Sequence, residues 1–595
     1  MQVIATAGHV DHGKSTLIRA LTGIEPDRWA EEKRRGLTID LGFAWTELPS
    51  GRGVSFVDVP GHERFLGNML AGIGPAPIVC FVVAADEGWQ AQSTDHRDAI
   101  AALGIDQGLV VITRADLAPD RIGEVTAQVQ AQLAGTGLAQ APVIPVSAVT
   151  GDGMQELREA LDALVSAARL PDPSERVRLW VDRSFTISGA GTVVTGTLAA
   201  GTLRRDDRLE LVGEQGRREV TVRGLQSRGG AAEQIEPVSR AAVNLRGIDA
   251  ESVGRGDALL TPGAWHLSDT VDVRGITGQS LGEAPEELVV HMGSAAVPAR
   301  VRPLGDSHAR LVLDRPLPLS VGDRMVLRGS GSRAVYAGVQ VLDVDPPALT
   351  RRGEGARRAQ TLETLPTGGD VQVEVSRRGA VREDFLVRCG VQIPQPLPEG
   401  AQRIGDWLAD SSALTRWTTR LREAVRAHAD AHPLAAGLPL KAAGDLLDLP
   451  DPALIEPVVR ASGLQHEGGM LRDPASQQGL GAAEEGIARL EARLRAEPLA
   501  APTAEDLAQW GLGARELAAA QRMGRVLRLD DGVILLPTAP ALAMRELAAL
   551  PQPFTTSQAR QALGTTRRVA IPLLEHLDGR GWTRRVDGTH REVVR

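Results

Sequence analysis

A glycine-rich stretch near the start of the chain, "GHVDHGKS", ends in a lysine and a serine. Its spacing is that of a phosphate-binding loop, and it follows a strand-like "QVIATA" and opens a helix-like "KSTLIRALTG". Backbone N–H groups and the helix dipole would hold the phosphates there. We expect Lys14 to reach the β- and γ-phosphates and the Ser15 hydroxyl to bind Mg²⁺. The loop residues predicted to bind the nucleotide are Asp11, His12, Gly13, Lys14, Ser15 and Thr16.

Two further stretches complete the predicted metal and γ-phosphate site. "FVDVPGHE" places Asp58 at the end of an apolar strand, where it suits a water-mediated contact to the metal. It also places Gly61 where the backbone must approach the γ-phosphate. The polar loop "RRGLTID" offers Thr38, a candidate metal ligand that can close over Mg²⁺ when the γ-phosphate is present.

The base is predicted from two later strands. "GLVVITRAD" ends an apolar strand in Asp116, whose carboxylate can accept both N–H groups on the guanine edge, and "VIPVSA" ends another at Ser147 and Ala148. If Asp116 reads guanine, an ATP-dependent enzyme is excluded. Strands alternating with helices up to Ala168 indicate a doubly wound, parallel α/β sheet with its ligand at the strand C-termini.

These motifs resemble the GTPase domain of translation factors. That family usually reads the base with Asn-Lys-x-Asp, whereas this chain has Thr113, Arg114 and then Asp116 in the motif. Arg114 can still stack its stem on the base. Thr113 lacks the side-chain amide of the family's asparagine, which usually braces the phosphate loop.

The resemblance also implies roles for three residues around the γ-phosphate. His62 directly follows the Asp-x-x-Gly motif, and in the family this histidine orients the attacking water when the ribosome pushes it past an apolar gate. Val10 resembles part of that gate. Asp11 either helps to hold a monovalent cation or is an ordinary loop carboxylate.

Composition bounds the rest of the chain. At 595 residues and a net charge of −9, with 43% hydrophobic and 24% charged residues, it is an ordinary globular sequence of about three to six domains. It shows no bilayer-spanning apolar run and no signal peptide at its start. Cys80 and Cys389 alone cannot form a disulfide framework or a cysteine-based metal cluster. We therefore expect a cytoplasmic protein.

Helical periodicity stops after the linker "LPDPSE" (170–175). The stretch "RLWVDRSFTISGAGTVVTGTLAAGTL" alternates, is rich in valine and threonine and turns at glycines. We expect two small antiparallel β-barrels, at 171–262 and 263–347, after a GTP-binding domain at 1–170. "GAGTVVTGTL" resembles the second domain of elongation factor Tu and its relatives, in which the aminoacyl end of tRNA is held.

Within that resemblance, three residues distinguish this chain from general elongation factors. Asp182 and Arg183 stand where those factors carry an acidic pair, and Arg240 lies near the position of an asparagine. Two guanidiniums in an aminoacyl pocket would suit a selenolate, which is anionic at neutral pH, and would disfavour a seryl hydroxyl. The alternative is that both are surface arginines, since arginine supplies nearly all of the 66 basic residues.

Helical stretches followed by wing-like hairpins recur after a polar hinge at 345–358. The hairpins at 464–472, 526–537 and 582–594 are about sixty residues apart, with a vaguer one near Gly400. This period predicts tandem winged-helix modules over 348–595, four in number.

The last module, at about 543–595, is basic in an acidic protein. From Gln558 to the end, eight arginines stand against four acidic residues. A basic patch of this kind can grip a phosphate backbone, and a histidine can stack on a splayed base, although a charged run is also typical of a solvated face. The predicted RNA-binding residues are Arg567, Arg568, Arg584, Arg585, His590 and Arg591.

The order of GTPase, two barrels and winged helices resembles the bacterial selenocysteine-specific elongation factors. "ATAGHVDHGKST", "RGLTIDLGFA" and "DVPGHERFLGNMLAG" carry the resemblance. It implies a GTP- and Mg²⁺-dependent factor with ribosome-stimulated GTPase activity. Such a factor delivers selenocysteinyl-tRNA at in-frame UGA codons while its C-terminal modules hold a hairpin in the messenger RNA.

Two other functions fit parts of this pattern. One is a general translational or ribosome-associated GTPase with extra RNA-binding modules, although ordinary tRNA delivery needs neither the C-terminal 240 residues nor the arginine pair. The other is a GTP-controlled regulator with winged helices on DNA, which would lack tRNA affinity. Without heptads or an apolar interaction stripe, we expect a monomer that does not associate with membranes.

Overall fold

The computed structural model describes residues 2–26, 38–168, 171–189, 191–329, 331, 334–432, 434–474 and 480–594. Part of the predicted polar loop, residues 34–37, lies outside these ranges. The chain forms two compact units, one of residues 1–373 and 382–398, the other of residues 374–381 and 399–595. Within the described ranges, no helix has the length and apolar character that crossing a bilayer requires.

The first unit opens with a six-stranded sheet flanked by helices. The strands are β1 (Gln2–Ala7), β2 (Gly42–Glu47), β3 (Gly53–Asp58), β4 (Ile78–Ala84), β5 (Gln107–Thr113) and β6 (Val143–Pro145). The helices are α1 (Lys14–Thr22), α2 (Leu66–Ile73), α3 (Ala91–Leu103), α4 (Ile122–Leu133) and α5 (Met154–Ala167). The sheet order is β2-β3-β1-β4-β5-β6, and all neighbours are parallel except β2 and β3. A parallel sheet was expected, and the antiparallel edge strand β2 follows from the short link between β2 and β3.

Both faces of this sheet are covered, which explains its continuous apolar strands. Ile4 packs with Leu17 on one face, while Val3 packs with Phe81 on the other. The phosphate loop, Asp58 and Thr113 therefore meet at the C-terminal edge of β1, β3 and β5, where an open α/β sheet binds its ligand.

A closed antiparallel barrel of six strands follows, with order β10-β15-β7-β8-β14-β11 and closure by β10 and β11. Its alternating apolar residues form the interior, including Leu179, Val194 and Val243. The strands of this region are β7 (Arg178–Ile187), β8 (Gly191–Leu198), β9 (Leu203–Arg204), β10 (Arg208–Gly213), β11 (Gly216–Ser227), β12 (Gly230–Ala232), β13 (Gln234–Ile235), β14 (Ser239–Arg246) and β15 (Ala258–Leu260).

The second barrel is also closed and antiparallel, with order β16-β19-β18-β17-β20-β21. Its strands are β16 (Leu267–Gly278), β17 (Glu287–Met292), β18 (Ala295–Pro303), β19 (His308–Pro318), β20 (Arg324–Arg328) and β21 (Val335–Asp343). Helix α6 (Glu354–Thr364) packs on it through buried Arg358, whose guanidinium donates to the carboxylates of Asp272 and Asp343. α7 (Val371–Arg378), β22 (Ala380–Arg382) and α8 (Glu383–Cys389) come next along the chain.

In the second unit, three helices followed by a hairpin recur through the described residues, as winged-helix modules require. After the hairpin β23 (Ala401–Ile404) and β24 (Trp407–Asp410), the elements are α9 (Ser411–Ala431), β25 (Leu438–Pro439), α10 (Leu440–Leu447), α11 (Ile455–Ser462), β26 (Gln465–Glu467), β27 (Met470–Arg472), α12 (Glu484–Ala496), α13 (Ala504–Gln509), α14 (Ala514–Arg522), β28 (Leu527–Arg528), β29 (Ile534–Leu535), α15 (Ala539–Ala548), β30 (Phe554–Thr555), α16 (Thr556–Ala562), α17 (Arg567–Gly579), β31 (Thr583–Arg585) and β32 (His590–Val593). The last two modules share one core, which includes Leu490, Leu535, Phe554 and Leu577. The predicted fold class, an α/β GTPase domain, two barrels and tandem winged helices, is confirmed.

Candidate functional site

The phosphate loop joins β1 to α1 and depends on glycine for its shape. Gly8 has φ +126°, and a Cβ there would lie 2.1 Å from the carbonyl oxygen of Val82. Gly13, the N-cap of α1, has φ +82°. Such left-handed conformations disfavour other residues. The Lys14 ammonium donates to the carbonyl oxygens of Gly8 and His9, at 3.0 and 2.6 Å, so it lies across the loop that is predicted to wrap the phosphates.

Thr113 braces this loop. Its hydroxyl donates to the carbonyl oxygen of His12 at 2.7 Å, and the bond is buried. The sequence had suggested that a threonine here would leave the loop without the brace that asparagine supplies. The hydroxyl in fact reaches the loop directly, because β5 ends beside it.

Arg114 ties the same loop to a pair of carboxylates. Its guanidinium donates to Asp86 at 2.9 Å and Glu87 at 2.8 Å, and its other terminal nitrogen donates to the carbonyl oxygen of Asp11. Partial burial opposes the charged form, but the hydrogen bonds and attraction of Asp86 and Glu87 outweigh it and raise the pKa of Arg114. Arg114 thus fixes the outer rim of the loop.

The three predicted metal ligands meet at one point. Asp58 is fully buried, and its two carboxylate oxygens accept from Ser15 at 2.7 Å and Thr6 at 2.8 Å. The hydroxyls of Ser15 and Thr38 are 3.1 Å apart. Hydroxyl and carboxylate oxygens are the donors that Mg²⁺ prefers, so these residues fit that ion.

These residues open onto a cavity of about 970 Å³, near the upper end of the range for ligand pockets. Its lining comprises Val10, Asp11, Gly13, Lys14, Ser15, Thr16, Arg19, Glu25, Thr38, Gly61, Thr113, Arg114, Asp116, Leu117, Ser147, Ala148 and Val149. Most of the predicted nucleotide-binding residues are thereby brought together. The exceptions are His12 and Asp58, which lie beneath the surface as buried supports.

His62 lies outside this lining, next to Gly61. A Cβ on Gly61 would lie 2.5 Å from the Val10 nitrogen and 2.6 Å from the Lys14 ammonium, so this position admits only glycine. The Nδ1 atom of His62 accepts from the Arg64 N–H at 3.2 Å. In the neutral ring the proton is then on Nε2, which is available as a donor.

Sequence reasoning missed two residues of α3 that hold the loop from below. His96 Nδ1 accepts from the Gly8 N–H at 3.0 Å, and Gln92 Oε1 accepts from the Val10 N–H at 3.1 Å. Their spacing of four residues on one helix face was the available signal.

Nearby, burial and the adjacent His9 lower the pKa of His12 to about 3, so the loop gains no charge from His12 at neutral pH.

The predicted aminoacyl pocket is built on the first barrel. Asp182 is buried; its carboxylate accepts from the Thr195 hydroxyl at 2.6 Å and forms an ion pair with Arg240. Arg240 also donates to the Thr197 hydroxyl at 3.1 Å. Asp182 therefore orients Arg240.

Arg183 is held by the GTPase domain. It pairs with Asp40 at 3.3 Å and donates to the carbonyl oxygen of Leu41. Both pocket arginines lie over the Phe43 ring, with their guanidinium carbons 4.8 Å (Arg183) and 4.0 Å (Arg240) from its centroid. The structure thus brings the two arginines together, on a wall that the GTPase domain supplies.

The basic surface of the last module is partly neutralised by its own acids. Arg584 pairs with Glu592, and Arg585 pairs with Glu575 at 3.2 Å.

Three other predicted residues of this surface, Arg567, Arg568 and His590, are exposed or half-buried. Arg568 donates to the carbonyl oxygen of Pro502 at 2.6 Å. His590 lies beside Asp587, with 3.0 Å between Nδ1 and the carboxylate. Trp582, which sequence reasoning did not select, is 41% exposed at the base of the wing.

Arg591 does not belong to this surface. Its side chain is buried, with its Nε donating to Asp578 at 2.9 Å and a terminal nitrogen donating to the Thr556 hydroxyl at 3.1 Å. Alternation along β32 turns Arg591 inward, opposite to its neighbours. Its prediction as an RNA contact is corrected to a structural role that joins the wing to α16 and α17.

Three family models match separate parts of the chain. The elongation factor Tu GTP-binding domain matches residues 1–167. The β-barrel domain of selenocysteine-specific elongation factor matches residues 269–348, and the winged helix of elongation factor SelB matches residues 545–591. The matches follow the order of domains that the fold displays.

Curated relatives match over the whole length. The selenocysteine-specific elongation factor of Escherichia coli (strain K12) is 33% identical over 99% of this chain and 98% of its own, and that of Desulfomicrobium baculatum is 32% identical over 99% of each. The crystal structure of a bacterial selenocysteine-specific elongation factor, EF-Sec, is 25% identical and aligns over 100% of both chains with a TM-score of 0.78. The match of residues 1–167 shows that this chain is a translational GTPase that binds guanine nucleotides. Because the similarity extends over its full length, the chain belongs to the selenocysteine-specific elongation factor family.

Proposed function

We propose that the chain binds GTP with Mg²⁺ in the cavity described above. Ser15, Thr38 and Asp58 would hold the ion, directly or through water, and Mg²⁺ would neutralise charge on the phosphates. Asp116 would read guanine, with Ser147 and Ala148 beside the base. The convergence of Ser15, Thr38 and Asp58 within hydrogen-bonding distance supports this site.

His62 is proposed to orient the water that attacks the γ-phosphate. It follows Gly61, whose close approach to Val10 and Lys14 brings the His62 backbone to the phosphate side of the loop. A position just outside the cavity fits a group that acts only after the ribosome moves it inward.

The aminoacyl group that we propose as cargo is selenocysteine, carried on its tRNA to ribosomes at in-frame UGA codons. The observation that carries this is the pair Arg183 and Arg240, whose guanidiniums share one ring, Phe43. A selenolate placed there would be attracted by both guanidiniums, whose charge is partly offset by Asp40 and Asp182, whereas a seryl hydroxyl gains no such attraction. Asp182 would keep Arg240 in position.

The last winged-helix module is proposed to hold a hairpin of the messenger RNA. Arg567, Arg568, Arg584 and Arg585 would contact phosphates, and His590 would stack on an unpaired base. Exposed Trp582 at the wing base adds a second flat surface suited to stacking.

The corresponding division of the chain is also part of the proposal. We assign the GTP-binding domain to 1–170, the aminoacyl-tRNA-binding barrel to 171–262, the second barrel to 263–347 and the winged helices to 348–595, with the RNA-binding module at about 543–595. The factor would act as a monomer in the cytoplasm, where ribosomes decode messages.

The direct test is delivery on purified ribosomes that carry a UGA codon in the A site, followed by a hairpin from a selenoprotein gene of the same genome. GTP hydrolysis and a selenocysteine-containing dipeptide should form together. His62→Ala should still bind selenocysteinyl-tRNA with GTP but hydrolyse GTP slowly. Equal dipeptide yield with seryl-tRNA would refute specialised delivery.

A further inference from the structure

We infer that Asp40 couples the nucleotide site to the aminoacyl pocket, because it holds Arg183 in place while the segment that carries Thr38 is closed at the metal site. The inference rests on the proposed function, in which Arg183 belongs to the pocket. Asp40 and Arg255 would act as positioning residues for that pocket.

Asp40 is two residues from Thr38, so the two move together. Thr38 is anchored at the phosphate side, with its hydroxyl 3.1 Å from that of Ser15. In switch GTPases such a segment is ordered by the γ-phosphate and metal and released on hydrolysis. The position of Asp40 therefore depends on the nucleotide.

The Asp40 carboxylate is shared between two arginines of the first barrel. One oxygen is 3.3 Å from Arg183, and the other accepts from Arg255 at 2.6 Å. These side chains are only 21–29% exposed, so the attraction is less screened than at an open surface.

Arg255 extends this contact to a second nucleotide-sensing element. It donates to the Asn68 side-chain oxygen at 2.7 Å and, through Nε, to the carbonyl oxygen of Asp182 at 3.0 Å. Asn68 lies on α2, shortly after Gly61 and His62, and donates to the carbonyl oxygen of Ile39 at 2.9 Å. Both elements beside the γ-phosphate thus converge on the backbone of the pocket residue Asp182.

Phe43 lies on the same stretch of chain as Asp40 and supplies the wall on which both pocket arginines stack. Release of the Thr38 segment would withdraw Asp40 from Arg183, while β2 keeps Phe43 paired with Val57 of β3. A selenocysteinyl group that prefers the ordered pocket must favour the GTP-bound state. By thermodynamic linkage, the factor by which this group raises the affinity for GTP equals the factor by which GTP raises the affinity for the group.

The test compares Asp40→Asn with a matched control, Glu47→Gln. Glu47 ends β2 and pairs at 3.7 Å with Arg228 of the same barrel, but it lies outside the junction of Asp40, Arg183 and Arg255. Dissociation constants for selenocysteinyl-tRNA are measured with a non-hydrolysable GTP analogue and with GDP. We expect Asp40→Asn to shrink the GDP-to-GTP ratio of these constants by about tenfold or more, a usual size for allosteric coupling, while Glu47→Gln preserves it.

Arg255→Gln should shrink the ratio as well, because it cuts the link to Asn68. An unchanged ratio in both variants, or an equal loss of affinity in the two nucleotide states, overturns the coupling and leaves Asp40 a merely structural residue. If the unaltered protein binds selenocysteinyl-tRNA in neither state, the proposed function itself fails, and the coupling fails with it.

Discussion

The hydroxyl of Thr113 donates a buried hydrogen bond to the carbonyl oxygen of His12, across 2.7 Å. This bond connects the end of β5, three residues before Asp116, with the loop that is predicted to surround the phosphates. The proposed base-reading residue and the proposed phosphate loop therefore share one support.

Replacing Thr113 with valine keeps the shape of the side chain and removes this hydroxyl. A buried carbonyl left without its donor costs about 1–3 kcal/mol, so we expect the dissociation constants of GDP and GTP to rise about 5- to 150-fold. Thr126→Val is the matched control, because its hydroxyl also donates to a carbonyl oxygen at 2.7 Å, on α4. Nucleotide affinities that are equal in the two variants would show that the brace is dispensable.

Asp116→Asn tests the reading of the base. An amide offers one acceptor and one donor side in place of two acceptor oxygens, and it matches the xanthine edge better than the guanine edge. We expect the preference to move from GTP towards xanthosine triphosphate, measured by competition. Exposed Asp120→Asn should leave the preference intact. Continued preference of Asp116→Asn for GTP would remove Asp116 from base recognition.

Arg591→Gln should destabilise the last module rather than its RNA contacts alone. Truncation would leave Asp578 without its buried partner, and the loss of a charged hydrogen bond of this kind costs about 1.5–3 kcal/mol. The readout is protection of amides in β31 and β32 from hydrogen exchange. Arg580→Gln, at an exposed site of the same module, should change stability by less than about 0.5 kcal/mol. Similar protection in both variants would contradict the structural role.

Arg584→Ala combined with Arg585→Ala should weaken RNA binding without unfolding the module. Both side chains are exposed and their acidic partners are also solvated, so stability should hold. Affinity for an RNA hairpin taken from just after an in-frame UGA should fall, and the slope of log K against log salt should decrease by about two. GTP affinity serves as the control. A parallel loss of GTP and RNA binding would point to misfolding instead.

The local motifs were predictable because each carries its own geometry. A glycine loop between a strand and a helix fixes where Lys14 and Ser15 lie, and the ends of parallel strands bring Asp58 and Asp116 to one edge. Alternation and turn glycines were enough to predict the barrels, and a sixty-residue period was enough for the winged helices.

Long-range contacts could not be obtained in this way. Whether Thr113 reaches the loop depends on how closely β5 lies beside it, and whether Arg591 turns inward depends on a single-residue register in β32. Phe43 reads as an ordinary apolar strand residue. Only the packing of the GTPase domain on the first barrel shows that Phe43 lies beneath two arginines from another part of the chain.

The most decisive measurement is the rate of spontaneous hydrolysis of the aminoacyl ester with the GTP-bound protein in excess. Selenocysteinyl-tRNA is compared with the seryl form of the same tRNA. The arginine pair predicts slow hydrolysis of the selenocysteinyl ester only, because the seryl side chain offers no charge to Arg183 and Arg240. Equal protection of both esters would make the protein a general carrier, and protection of neither would contradict an aminoacyl pocket on the first barrel.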